Sequence, residues 1–166
     1  MFASLVVSAF ILAAPAGASV AQDKPAPAPP KPAATAAKPG AARLIEIGAG
    51  DDMKYSVTEI AAKPGETLRI RLTSKGTLPK VAMAHNVVVL KPGAKQTEFA
   101  NAAAMARATD FIPTDMKDQV VAASGLAGPG ETVEVTVKIP AAGTYPFICT
   151  FPGHFAAGMR GTIIAK

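Results

Sequence analysis

"ETVEVTVKIP", residues 131–140, sets Val133, Val135, Val137 and Ile139 against Thr132, Glu134, Thr136 and Lys138. That period of two is a β-strand with one face in a core and the other in water. "ETLRIRLTS", 66–74, repeats the pattern with Leu68, Ile70 and Leu72 against Arg69 and Arg71. "AKPGETL" and "AGPGETV" are matching Pro-Gly turns that launch the two strands. Shorter apolar runs at 43–48, 55–61, 85–90, 143–149 and 160–165 bring the expected strands to about seven. Short strands with Gly/Pro turns predict an all-β antiparallel sandwich rather than alternating βα units. The stretch from Gln96 to Ser124 breaks the rhythm: "TEFANAAAMARA" is rich in helix formers and "TDMKDQVVAAS" opens on an N-cap-like Thr114 after Pro113. One or two short helices are expected there, as a flap inserted between strands.

The chain divides before this domain begins. Residues 1–21, "MFASLVVSAFILAAPAGASVA", are apolar and uncharged and then turn to small residues, in the manner of a secretory signal peptide with cleavage before Ser19 or Gln22. The basic start of such a signal is missing, which leaves a short N-terminal membrane anchor as the alternative. Residues 22–42 form a Pro/Ala/Lys tract without large apolar side chains, read as a semi-rigid tether. Residues 43–166 then suffice for one compact domain. Setting aside Lys24, Lys31, Lys38 and Asp23 leaves 14 basic against 11 acidic residues, a balance of +3 where the whole chain carries +5. With no tryptophan, two tyrosines and scattered charges, nucleic acid is not an expected partner.

"CTFPGHFAAGM", 149–159, holds the only cysteine, one of two histidines and one of six methionines. An exported domain stapled by disulfides carries paired cysteines, so Cys149 is either buried filler or has another task. A thiolate, two neutral imidazoles and a distant thioether are the donors that hold copper in a trigonal site with a weak axial bond. His85, Cys149, His154 and Met159 supply that set with nothing spare. If Cys149 ends the strand "TYPFIC", Pro152-Gly153 bends the following loop so that His154 and Met159 face the same spot, and His85 closes the site from a neighbouring strand. A copper storage or delivery protein is the alternative function, but a Cu(I) transporter more typically shows several methionines or a cysteine pair. For a Cys-His hydrolase no orienting acid or amide stands out, and the pair shares a short Pro/Gly loop with methionine. A second copper, as an oxidase or nitrite reductase needs, would find no histidine left, and a binuclear electron-entry site needs a second cysteine.

"MAHNVVVL" and "YPFICTFPGHFAAGMRGTI" resemble the two metal-binding segments of the cupredoxins, in the azurin and auracyanin branch, and "TLPKVAMAHN" is similar to the azurin stretch before its first histidine. The resemblance spans essentially all of 43–166. It implies an eight-stranded Greek-key β-sandwich with a helical flap, and a type 1 (blue) copper with His85, Cys149 and His154 equatorial and Met159 axial. It also implies a one-electron carrier rather than an enzyme. Four residues separate His154 from Met159, as in auracyanins, where azurins have three. Ala84 stands where azurins have a glycine whose carbonyl approaches copper, which makes the Ala84 carbonyl a candidate second axial contact. Asn86 corresponds to a residue that fixes the ligand loops. An apolar patch of Met83, Pro152, Phe155 and Ala156 around His154 is the expected docking site for donor and acceptor redox proteins. A monomer in the periplasm or otherwise outside the cytoplasm, secreted or tethered to the membrane, completes the expectation.

Overall fold

The structure, a computed structural model, describes residues 42–166. The expected leader over 1–21, and all of the tether except Ala42, lie outside the described residues. Eight strands follow: β1 (Arg43–Ala49), β2 (Glu59–Ala62), β3 (Thr67–Ser74), β4 (Val88–Leu90), β5 (Val120–Ala123), β6 (Thr132–Lys138), β7 (Gly143–Ile148) and β8 (Arg160–Ala165). They form a three-stranded sheet, β1-β3-β6, and a five-stranded sheet, β2-β8-β7-β4-β5.

The two most legible strands pair antiparallel, Leu68 opposite Val137 and Leu72 opposite Val133. Their turns behave as the Pro-Gly pairs require. Glu66 N–H bonds Lys63 C=O at 3.0 Å and Glu131 N–H bonds Gly128 C=O at 2.9 Å. Gly65 and Gly130 sit at φ 79° and 70°, the positive φ that a type II turn with proline in its second position demands of its third.

The sheets are mixed rather than purely antiparallel. β1 runs parallel to β3 and β2 parallel to β8, because the chain crosses to the other sheet at β2 before returning to lay β3 beside β1. Interleaving of this kind belongs to Greek-key sandwiches and leaves no local sequence mark.

Leu68, Ile70, Leu72 and Val137 on one sheet meet Ile60, Val89, Phe147 and Ile163 on the other, each 3% exposed or less. A buried side chain of this size contributes about 1.5–3 kcal/mol relative to its exposed state. Gly161 in β8 is fixed by this packing: a Cβ there would lie 2.7 Å from both Phe147 Cε1 and the Thr58 carbonyl. A second, smaller core lies under the flap, where Val88, Leu90 and Ile148 meet Phe99 and Ala103. Those last two are one helical turn apart on α1 (Gln96–Met105). β4 is therefore buried along its whole length.

The flap differs from its expectation in two ways. After α1 come two short 3₁₀ turns, Arg107–Thr109 and Thr114–Gln119, and then "VVAA" of the supposed second helix forms β5, paired with β4. The open edge of β4 offers Val120–Ala123 a ladder, and that tertiary context overrides local propensity. Thr114 makes no capping bond; Pro113 holds the N-cap position. The apolar run at 55–61 is a strand only from Glu59, with Tyr55 making an isolated bridge to Ala49, and the run at 85–90 is likewise a bridge at His85 followed by β4.

Candidate metal centre

Cys149 follows the last residue of β7, and Met159 precedes the first of β8. Cys149 N–H bonds Met159 C=O at 3.1 Å, so the ladder between the two strands closes on the ligand loop. Inside it, Phe151-Pro152-Gly153-His154 is another type II turn. His154 N–H reaches Phe151 C=O at 3.1 Å and Gly153 takes φ 85°. Met159 N–H bonds back to His154 C=O at 2.9 Å. The bend read from Pro152-Gly153 thus turns the chain back on itself between the two donors.

His85 enters from the segment before β4, held by a pair of bonds with Ala127: His85 N–H on Ala127 C=O at 2.9 Å and the reverse at 2.8 Å. The donor atoms of His85, Cys149 and His154 all lie within 4.8 Å of one another. Cys149 Sγ is 3.4 Å from His154 Nδ1, and the two imidazole centroids are 5.0 Å apart. Cys149, His85 and Met159 are fully buried and His154 is 2% exposed.

Both nitrogens of His85 are buried without a hydrogen-bond partner, a costly arrangement for an imidazole unless an electrophile takes that place. Burial pushes the Cys149 thiol up to about 12, opposed by the backbone N–H groups of Asn86 and Phe151 that face the sulfur. Burial, and then the neighbouring His85, hold His154 down to about 4. Burial lowers His85 as well, against the pull of Asp51 and Asp52. At neutral pH the imidazoles are uncharged donors, and the buried sulfur becomes an anion only where a cation compensates it. One soft sulfur and two borderline nitrogens, all buried and with both nitrogens of His85 unpartnered, suit copper.

Asn86 ties the two donor-bearing segments together. Its Nδ2 donates to Thr150 Oγ1 at 2.8 Å and its Oδ1 accepts from Thr150 N–H at 2.9 Å, all buried. Ser124 pins the next residue, accepting from Val87 N–H at 2.9 Å. Ala84 is fully buried beside His85. Of the expected docking patch, Pro152 and Ala156 are exposed and Met83 is half-buried. Phe155 is half-buried and packs against the core under the flap, with Arg160 stacked on its ring at 5.2 Å. Phe151, absent from the expected patch, lies against His154 with centroids 4.8 Å apart and carries Phe111 edge-on at 5.1 Å. Its position between Cys149 and His154 was the available signal.

A two-sheet sandwich with a buried Cys-His-His cluster between two loops at one end defines a mononuclear soft-metal protein. The chain belongs to the copper-binding plastocyanin/azurin family, whose family model matches residues 41–166. It is 38% identical over 125 residues to auracyanin-A of Chloroflexus aurantiacus, covering 74% of each chain. To azurin-2 of Alcaligenes xylosoxydans xylosoxydans it is 34% identical over 121 residues, 70% of this chain and 92% of that one. Among solved structures, auracyanin A of Chloroflexus aurantiacus, described as a "blue" copper protein, superposes with a TM-score of 0.67 at 36% identity, covering 76% of this chain and all of that one. Dithionite-reduced auracyanin of Roseiflexus castenholzii gives 0.67 at 32% identity, covering 76% and 99%. Copper is the group this centre is built for, and electron transfer through it is the function.

Proposed function

We propose that this chain carries single electrons between redox proteins outside the cytoplasm, and that His85, Cys149 and His154 would hold a type 1 copper with the Met159 thioether as a further, weaker donor. The observation that carries the ligand assignment is the pair of orphaned nitrogens on buried His85 beside the Cys149–His154 contact of 3.4 Å. Copper, when bound, supplies the one-electron Cu(II)/Cu(I) couple. The Cys149 thiolate is the strong donor, and the N–H groups of Asn86 and Phe151 that face it withdraw charge from the sulfur and favour the reduced state. The two imidazoles stay neutral. Asn86 and Thr150 hold the His85 and Cys149 segments together, and the carbonyl of Ala84, buried beside His85, would be a candidate further donor to the metal.

Electrons enter and leave by the His154 loop, where Pro152, Ala156 and Met83 with half-buried Phe155 form a small surface suited to brief docking. The chain works as a monomeric carrier and not as an enzyme. Residues 1–21 direct export or anchor the chain, and residues 22–42 tether the domain of 43–166. Among the described residues no helix is long and apolar enough to cross a membrane.

Addition of Cu(II) to the purified protein is expected to give intense visible absorption from copper-thiolate charge transfer and a narrow copper hyperfine splitting by electron paramagnetic resonance. Cys149→Ser is expected to lose both while circular dichroism stays unchanged. A visible band that survives in that variant overturns the assignment.

A further inference from the structure

Two consecutive residues that donate nothing to the metal centre reach both of its halves. Lys54 and Tyr55 follow a tight turn in which Met53 N–H bonds Gly50 C=O at 3.0 Å and Met53 takes the left-handed φ of 54°. The turn is braced on one side by Gly48 and Ser56: Ser56 N–H meets Gly48 C=O at 2.9 Å and Gly48 N–H meets Ser56 Oγ at 2.8 Å. On the other side Asp51 Oδ2 accepts from both the N–H and the hydroxyl of Thr77, each at 2.9 Å.

From this frame Tyr55, 5% exposed with its ring 5.4 Å from that of Phe147, donates its hydroxyl to the carbonyl of Asn86, the residue after His85. Lys54 donates its ammonium to the carbonyl of Ala157, in the loop between His154 and Met159. The loop lies close over the lysine: a Cβ at Gly158, where φ is 94°, would sit 2.8 Å from Lys54 Nζ. Burial pushes the Tyr55 hydroxyl well above its ordinary value, so it remains a donor at any working pH.

We propose that Lys54-Tyr55 is a clasp: two positioning residues on one braced turn that hold the His85 segment and the His154–Met159 loop at a fixed separation before metal arrives. Asn86 and Thr150 join the two ligand segments to each other; the clasp joins both to a third body, so neither shifts without breaking a bond to the frame. A centre that changes oxidation state with little movement needs this kind of external restraint. The Lys54 ammonium also places a positive charge against the loop, which disfavours the more oxidised, more positive state. The preorganisation belongs to the apoprotein; only the effect on potential rests on the copper reading.

The test compares Tyr55→Phe, Lys54→Met, Lys54→Arg and the double variant Lys54→Met/Tyr55→Phe. In metal-free full-length protein, hydrogen exchange is expected to quicken roughly tenfold for the Ala127 amide with Tyr55→Phe and for the Met159 amide with Lys54→Met, each being the worth of one lost hydrogen bond. The Leu72 and Val137 amides should keep their protection, and the double variant should loosen both loops. With copper bound, Lys54→Met lowers the reduction potential, Lys54→Arg restores it, and the double variant alters the hyperfine splitting. Unchanged exchange at both loops, or a uniform rise that includes Leu72 and Val137, refutes the clasp, as do an unaltered potential and splitting in a wild-type protein that does bind copper. If the wild-type protein takes up no copper, the metal reading fails while the exchange data still decide the clasp.

Discussion

Replacing Asn86 by alanine removes the one side chain that bonds Thr150 twice. Its Nδ2 and Oδ1 contacts, 2.8 and 2.9 Å, lie where Asn86 is fully buried and Thr150 is 2% exposed, so no water replaces them. Stranding the buried Thr150 N–H costs about 1–3 kcal/mol, and the lost hydroxyl bond adds about 1 kcal/mol. For a domain of this length a destabilisation of about 3 kcal/mol lowers the melting temperature by about 12 °C. Thermal unfolding of the metal-free protein by circular dichroism measures it, free of any contribution from bound metal. Thr150→Val removes the hydroxyl leg alone, and the pair should be non-additive by at least about 0.5 kcal/mol, as groups sharing a bond are. A drop of less than about 1 kcal/mol for Asn86→Ala, or strict additivity with Thr150→Val, refutes the view that this pair joins the ligand segments.

Gly161→Ala places a methyl group between Phe147 and the Thr58 carbonyl and is expected to destabilise by about 1–3 kcal/mol through overpacking, read from the urea midpoint; an unshifted midpoint contradicts the packing described. The metal-free protein should lose stability in acid. The unfolded chain protonates His154 near its ordinary value of 6.5 but the native state only near about 4, so stability is complete above that upper value and falls across the window at up to about 1.4 kcal/mol per pH unit. Urea midpoints taken through that range check it, and a flat profile refutes neutral burial of His154.

How much of this was legible depends on how far each contact reaches along the chain. β3 and β6 announce themselves because alternation is local, and the Pro-Gly pairs fix their turns through proline's φ and glycine's freedom at 65 and 130. β5 does not, since "VVAA" is short, follows helix-like residues and becomes a strand only by pairing with β4, across a register shift between Val89 and Leu90. The parallel pairings follow from crossings between sheets that no local pattern records. Cys149, His154 and Met159 could be gathered because one short loop holds all three and the chain has only one other histidine. Tyr55 bonds 31 residues away and Lys54 reaches 103; in sequence they are an ordinary tyrosine and an ordinary surface lysine. Phe155 reads as part of an apolar patch, and the structure leaves it half-buried with one side on the flap core, a contact that composition does not record.

The ladder between β7 and β8 runs to Ile148–Arg160 and closes with the Cys149–Met159 bond, so the loop that bears His154 between those two donors is the connection of a hairpin. Residues can be added or removed between His154 and Met159 without shifting a single cross-strand pair. The spacing of the donors can therefore drift by insertion and deletion while the sandwich stays the same, and a new metal geometry can be grafted here by exchanging one loop rather than by redesigning a fold.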